Sequence, residues 1–284
     1  MEPDGDSTYE MYLNGFSSSL PIDIQFNALR LIEGFENVRI LRPGYAIEYD
    51  YFQPPQLFHT LESKIIPSLY FAGQVNGTTG YEEAAGQGII AGINAHHKIV
   101  GKDEFTVKRD VGYIGVMIYD LVTKGVDEPY RVFTSRAEFR ILIRQDNADE
   151  RFTPLAYSIG LTSVDKFSRF NEKYSKIVNL ENLINSISIE PSDINPFLVN
   201  LGSAEISQKK KIRDIILRPE VSLLRLMTEV DVIGNIVNIE FDSEIIESTE
   251  IKIKYQSYID KERLFAVKYQ KYEHISINPD FDYS

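Results

Sequence analysis

Leu69-Tyr70-Phe71-Ala72-Gly73-Gln74-Val75-Asn76-Gly77-Thr78-Thr79-Gly80-Tyr81-Glu82-Glu83-Ala84-Ala85-Gly86-Gln87-Gly88-Ile89-Ile90-Ala91-Gly92-Ile93-Asn94-Ala95 is the stretch on which the fold turns. It reads as a compact apolar strand (68–72) that stops at Gly73, a polar glycine-rich loop, and then a helix. Thr79 and Glu82 have the spacing of a capping box, which predicts a helix start near Gly80. No bulky side chain stands at Gly77 or Gly80, so backbone N–H groups can approach a ligand closely. The helix dipole favours negative charge at that end. Gly86, Gly88 and Gly92 each cost about 1 kcal/mol against Ala in a helix interior, a cost that close packing against a sheet or a flat ligand would offset. Their spacing is GxGxxxG and lies inside the helix, so it is not a phosphate cradle. On pattern alone two readings stand: a tight helix–sheet crossover without a ligand, and a cofactor site.

Outward from this segment the chain has two textures. Six of its 17 glycines fall between Gly73 and Gly92, and residues 1–103 mix short β-type runs with turns. A helix is predicted over 21–35, with Pro21 in its first turn. Strands are predicted over 38–41, 45–51 and 68–72. A linker is read at 100–104, where Gly101 precedes charged residues. From 104 onward helical periodicity prevails: 105–121, 164–184, a pair within 209–227 broken at Pro219, and 243–272. The expected class is α/β followed by all-α, with domains at 1–103 and 104–284.

Composition narrows the chemistry. The chain has 284 residues, is 43% hydrophobic and 25% charged, and carries a net charge of −12. That balance suits a folded globular chain and argues against a simple basic nucleic-acid binder, without speaking for local patches. With no cysteine, a disulfide framework, a Cys-ligated zinc or iron–sulfur centre and a thiol nucleophile are excluded within this chain. Four His suggest no metal site, and His59, His96, His97 and His274 lack a ligand spacing. The acidic N-terminus is unlike a signal peptide, no apolar run reaches the ~20 residues of a membrane span, and a cytoplasmic location is expected.

Three separated motifs carry a resemblance. Ala72-Gly73-Gln74 with Asn76-Gly77, Gly80-Tyr81-Glu82-Glu83 and Gly88 to Ala95 is similar to a signature of the MnmG (GidA) family. Arg42 to Tyr51, and Glu128-Pro129-Tyr130-Arg131-Val132-Phe133-Thr134-Ser135-Arg136-Ala137-Glu138-Phe139-Arg140 followed by Asp146 to Asp149, agree with it in order. The likeness is strong to about residue 155 and looser beyond. It implies the C-terminal portion of an FAD-binding domain of the two-dinucleotide-fold type, followed by a helical domain that engages tRNA and a partner. It implies a flavoenzyme that works with the GTPase MnmE. Together they add a (carboxymethyl)aminomethyl group to C5 of the wobble uridine of tRNA, with methylenetetrahydrofolate and NADH as cosubstrates and a homodimer as the full-length form. The family's GxGxxG and its reactive cysteines are missing here, so the chain resembles a middle-to-C-terminal part. A tRNA- or partner-binding portion without redox activity is the alternative, and a generic small-molecule FAD oxidoreductase a third reading.

The resemblance places Gly73, Gln74, Asn76, Gly77, Thr78, Thr79 and Gly80 against FAD; the bland reading of Gln74 is a turn residue bonding its own backbone. Catalytic residues are not assigned: Glu82 reads as the capping-box residue, and Glu83 as surface or a polar contact. Arg131, Arg136, Arg140 and Arg144 stand against Glu138 alone, a local +3. The last three share a face whether the segment is helix or strand, as a row that could bind RNA phosphate. Pairing with Asp127, Glu128, Asp146 or Asp149 is the competing reading. Lys209, Lys210, Lys211, Arg213 and Arg218 read as a solvated helix face. Tyr45, Tyr49 and Tyr51 share strand parity, with sheet or core packing set against stacking on a base or flavin.

Overall fold

The computed structural model describes residues 1–237 and 241–273, so His274 lies outside the described residues. In chain order the elements are a two-residue antiparallel pair, β1 (Glu2–Pro3) and β2 (Met11–Tyr12), then α1 (Ile22–Arg30), α2 (Tyr81–Val100), α3 (Tyr113–Lys124), α4 (Ala148–Ser158) and α5 (Val164–Ser186). They continue with β3 (Ser188–Ile189), α6 (Pro191–Asn200), β4 (Lys210–Lys211), α7 (Ile212–Ile216), α8 (Leu223–Glu229), α9 (Asp231–Val237) and α10 (Ser243–Glu273). β3 pairs antiparallel with β4. Short 3₁₀ turns stand at Pro54–Gln56, Gln74–Asn76 and Thr134–Arg136.

The helical half forms as its periodicity requires. α5 starts at Ser163, whose hydroxyl accepts the Lys166 N–H at 3.2 Å. Ile177, Leu180 and Ile184, one turn apart, are buried among α6, α7, α8 and the first half of α10. Tyr157 of α4 stacks on Phe167 of α5 at 4.0 Å, and Phe170 and Tyr174 continue the ladder. Pro219 separates α7 from α8 as its missing N–H predicts.

The first half departs from its sequence reading. Residues 38–41, 45–51 and 68–72 are not strands: only isolated bridges form, Leu57 to Ser63, Glu62 to Tyr70, and Thr78 to Tyr130. A strand exists by pairing, and 38–51 finds no paired neighbour among the described residues, so Tyr45, Tyr49 and Tyr51 are exposed rather than packed on a sheet. The Tyr51 hydroxyl donates to the Val126 carbonyl at 3.2 Å. The helix expected over 21–35 stops at Arg30. The one expected over 105–121 begins only at Tyr113, because Asn94 grips the Phe105 backbone through both its amide groups, at 2.8 Å each, and holds that stretch extended.

A second core joins Leu57 and Leu61 to Ile90 and Ala91 of α2, Met117, Ile118, Leu121 and Val122 of α3, and Tyr130. It draws on residues either side of position 103. Gly86 makes the α2–α3 contact possible: a Cβ there would press on Ile114 at 3.3 Å and Met117 at 3.4 Å. Gly88 and Gly92 meet nothing on their open side, so close packing explains only the first of the three helix glycines. Gly115 is more demanding, since a Cβ would run into the Val107 and Lys108 carbonyl oxygens, which are backbone and cannot swing aside. Gly115→Ala is therefore expected to lower thermal stability by about 2 kcal/mol, readable as a fall in Tm; an unchanged Tm would show that 107–108 moves freely. No helix among the described residues is long and apolar enough to cross a membrane.

Candidate functional site

Gly73 has φ +87° and ψ −140°, a conformation open to glycine alone, and Gly77 is left-handed at φ +76°. Between them Gln74–Asn76 make one tight turn. The turn is tied from α2: buried Gln87 accepts the Gly73 N–H at 3.0 Å and an Asn76 side-chain N–H at 2.8 Å, and donates to Thr78 Oγ1 at 3.0 Å. Thr78 Oγ1 donates to the Gly73 carbonyl at 2.9 Å, and Asn76 also donates to Phe71 O at 3.0 Å. Of the seven loop residues expected at a ligand, Asn76 and Thr78 therefore point inward, while Thr79 is exposed and Gln74 half-buried. Asn76 Oδ1 is buried without a partner. Gln87 is the organising residue, and sequence reading passed over it as the middle of a false glycine motif.

α2 begins one residue later than the capping-box spacing implies. Gly80 is the N-cap, it receives no side-chain cap, and Glu82 is exposed. The inward carboxylate is Glu83, third residue of the helix. It accepts the Val132 N–H at 2.9 Å and Arg131 Nε at 3.2 Å, and lies against Gly80, where a Cβ would collide with it. Burial alone would raise its pKa, but the Val132 N–H and the Arg131 guanidinium hold it below the ordinary carboxylate value.

Apart from the 3₁₀ turn at Thr134–Arg136 the arginine-bearing segment is irregular, so the argument that Arg136, Arg140 and Arg144 share a face does not apply. It is a strap laid across the turn. Tyr130 N–H donates to the Gly77 carbonyl at 2.8 Å, and the Tyr130 hydroxyl donates to Asp120 at 3.2 Å. Burial first, and Asp120 second, push that phenol's pKa up. Arg136 stacks over the Tyr130 ring at 4.3 Å and donates to the Arg131 carbonyl at 3.0 Å. Farther on, Glu262 of α10 accepts the backbone N–H groups of Ile141 and Leu142, both at 3.0 Å.

The four arginines meet different fates. Arg131 pairs with Glu83, and Arg144 with Asp146 through two 2.9 Å bonds. The ion-pairing reading thus holds for these two, with Glu83 an acceptor that the sequence does not suggest. Arg140 is exposed and makes no ion pair among the described residues, and Arg136 has no carboxylate partner there. Sequence reading missed Arg109, whose side chain is only 10% exposed. It bonds Asp120 at 2.8 Å, Glu138 at 2.6 Å, and the Val116 and Arg136 carbonyls. Lys209 pairs with Glu190, and Lys211 and Arg218 donate to backbone carbonyls. His97 lies near the end of α2, as its position predicts, with Nδ1 2.7 Å from the Asp103 carbonyl.

Fold and site together place a glycine-rich turn at the start of a long helix, with the arginine strap running from it to α10 of the helical bundle. A family model described as "Glucose inhibited division protein A" matches residues 1–103. One described as "tRNA modifying enzyme MnmG/GidA C-terminal helical domain" matches residues 165–263. The chain belongs to the MnmG/GidA family. It is 51% identical over 284 residues to the tRNA uridine 5-carboxymethylaminomethyl modification enzyme MnmG of Flavobacterium johnsoniae, covering 100% of this chain and 46% of that protein. It is 52% identical over 286 residues to the protein of that name from Bacteroides fragilis, again 100% and 46%. A crystal structure of Aquifex aeolicus GidA (form II) superposes with a TM-score of 0.74 at 40% identity, over 99% of this chain and 44% of that one. The chain spans about half the length of the curated relatives it matches.

Proposed function

We propose that this chain is part of an FAD-dependent, cytoplasmic tRNA-modifying enzyme. With the GTPase MnmE, the enzyme adds a (carboxymethyl)aminomethyl group to C5 of the wobble uridine. Residues 1–103 are assigned to the C-terminal portion of an FAD-binding domain of two-dinucleotide-fold type, and 104–284 to a helical domain that meets tRNA and the partner. The observation that carries the reading is the juxtaposition of a ligand-ready turn with an arginine strap. The turn from Gly73 to Gly80 is rigidly held from behind by Gln87, and the start of α2 lacks a side-chain cap. The N–H groups of a helix start favour an electron-rich edge of a cofactor.

Of these residues Gln74 and Thr79 lie on the accessible side and fit a flavin edge, whereas Tyr51 and Val126 cover Gly77 and the Glu83 carboxylate covers Gly80, and Asn76 and Thr78 shape the turn from within. FAD, when bound, supplies the redox chemistry, with NADH and methylenetetrahydrofolate as cosubstrates and a homodimer as the full-length form. The chain's own contribution is to hold the turn, and to offer Arg136 and Arg140 to phosphate beside the paired Arg131 and Arg144.

A second reading is a tRNA- or partner-binding portion with no redox step of its own, and it is favoured by the covering of Gly77 by Tyr51 and Val126 and of Gly80 by the Glu83 carboxylate. The flavin spectrum of the purified chain and its uptake of added FAD separate the two. Weak FAD retention is expected, and a colourless chain that takes up none yet binds tRNA in a salt-sensitive way selects the second reading. The double reversal Arg136→Glu and Arg140→Glu should weaken tRNA binding about tenfold at low salt, with the gap closing as salt rises. Unchanged affinity at low salt would remove the strap from the RNA surface.

A further inference from the structure

Two carboxylates fasten the strap, one from each half of the chain. Glu262 of α10 takes the paired N–H groups of Ile141 and Leu142, and Glu83 of α2 takes the Val132 N–H and the Arg131 side chain. Glu83 is the informative one, because it sits on the ligand-facing turn. It is 3% exposed, its second oxygen is buried without a partner, and it presses on Gly80, the N-cap itself. One side chain therefore touches the helix start and the first arginine of the strap at once. One residue back along the strap, the Tyr130 N–H is bonded to Gly77 of the same turn.

Resting on the function proposed above, we propose that Glu83 is a positioning residue that sets the arginine strap in register with the glycine-rich turn by the reach of its carboxylate, not by its charge. A Gln side chain keeps the length and the acceptor for Val132 N–H. An Asp keeps the charge, and the preference for acid in a first helical turn, but withdraws the carboxylate by one methylene. Glu82, exposed and one residue away, supplies a charge control that touches neither element.

The test compares Glu83→Gln, Glu83→Asp and Glu82→Gln in the full 284-residue chain, with two readouts. One is binding of a fluorescently labelled, unmodified tRNA transcript. The other is the rate of tryptic cleavage after Arg131 and Arg136, which tracks the open population of the strap and requires no RNA. Losing a charged hydrogen-bond acceptor for a buried amide is expected to speed cleavage about tenfold and weaken tRNA binding about fivefold in Glu83→Asp. Glu83→Gln, which keeps the acceptor for the Val132 N–H, and Glu82→Gln at an exposed site should each stay within about twofold of the parent on both readouts.

Removing a negative charge should by itself tighten RNA binding. If Glu83→Gln and Glu82→Gln both bind tighter and Glu83→Asp is unchanged, charge is the determinant and the proposal fails. Unchanged cleavage in Glu83→Asp overturns it outright. If the parent chain binds no tRNA, the functional reading falls, and the cleavage rates still decide whether Glu83 holds the strap.

Discussion

Arg109→Ala is expected to lower the melting temperature of this chain by about 10 °C. The guanidinium is 10% exposed and ties four acceptors on two elements: Asp120 and the Val116 carbonyl of α3, and Glu138 and the Arg136 carbonyl of the strap. Asp120 is itself buried, and burial would raise its pKa were it not held down by Lys124 and Arg109. Removing one partner of a buried ion pair costs about 3–5 kcal/mol, because the remaining charge stays desolvated, and a domain of this size loses about 2–4 °C per kcal/mol. Thermal unfolding followed by circular dichroism checks it. A shift below about 3 °C would show that Lys124, at 2.8 Å from Asp120, neutralises the carboxylate unaided.

The linkage has a definite sign. A carboxylate whose folded pKa is depressed stabilises the fold above its unfolded value and loses that contribution as pH falls through the folded one. The Asp120 contribution is thus present at neutral pH and is lost in acid, so the penalty of Arg109→Ala should shrink as the buffer is acidified.

Gln87→Leu should be the most damaging change at the turn. The volumes are similar, so the loss is of hydrogen bonds alone: the Gly73 N–H and an Asn76 N–H lose their acceptor, and Thr78 loses a donor. Leaving such groups buried and unmet costs about 1–3 kcal/mol each. Some relax toward water, and a net destabilisation of about 3 kcal/mol is expected. Urea unfolding measures the stability, and amide exchange at Gly73 measures the turn. Gly73 should lose its protection selectively, and FAD uptake should vanish where the parent shows any. Retained protection at Gly73 would mean that the two positive-φ glycines set the turn without help.

The sequence reveals most where local chemistry is sufficient. α5 was legible because Phe167, Phe170, Tyr174, Ile177 and Leu180 recur at helical spacing, and α10 as a long run carrying many Tyr and Lys. α4 and α6 were missed because Pro154 and Pro196 lie inside them, residues that normally break a helix. The predicted strands failed for a non-local reason, since an apolar alternating run such as 45–51 needs a partner edge that its own residues cannot supply. At the site, the glycine turn was legible from Gly73, Gly77 and Gly80. Its fastening was not, because Gln87, Glu83 and Arg109 act across separations of 14, 49 and 29 residues. The capping-box spacing of Thr79 and Glu82 misled by one position, since Gly80 is the N-cap and Glu82 is exposed, while Glu83 makes a polar contact, one of its two readings.

The bond from Glu262 to the strap bears on the order in which the chain assembles. Ile141 and Glu262 are 121 residues apart, and closing a loop of that length from an open coil costs about 4 kcal/mol of entropy. That cost falls once the intervening helices have packed, because their core already brings α10 back across the molecule. Entropy thus favours an order in which the bundle packs before the far end of the strap is secured. During synthesis, at roughly 5–20 residues per second, residues 139–143 wait about 6 to 25 s for their clamp. Through that interval the arginine segment is held by Glu83, by the Tyr130 bonds and by Arg109, and only its far end, at 141–142, waits for helix α10.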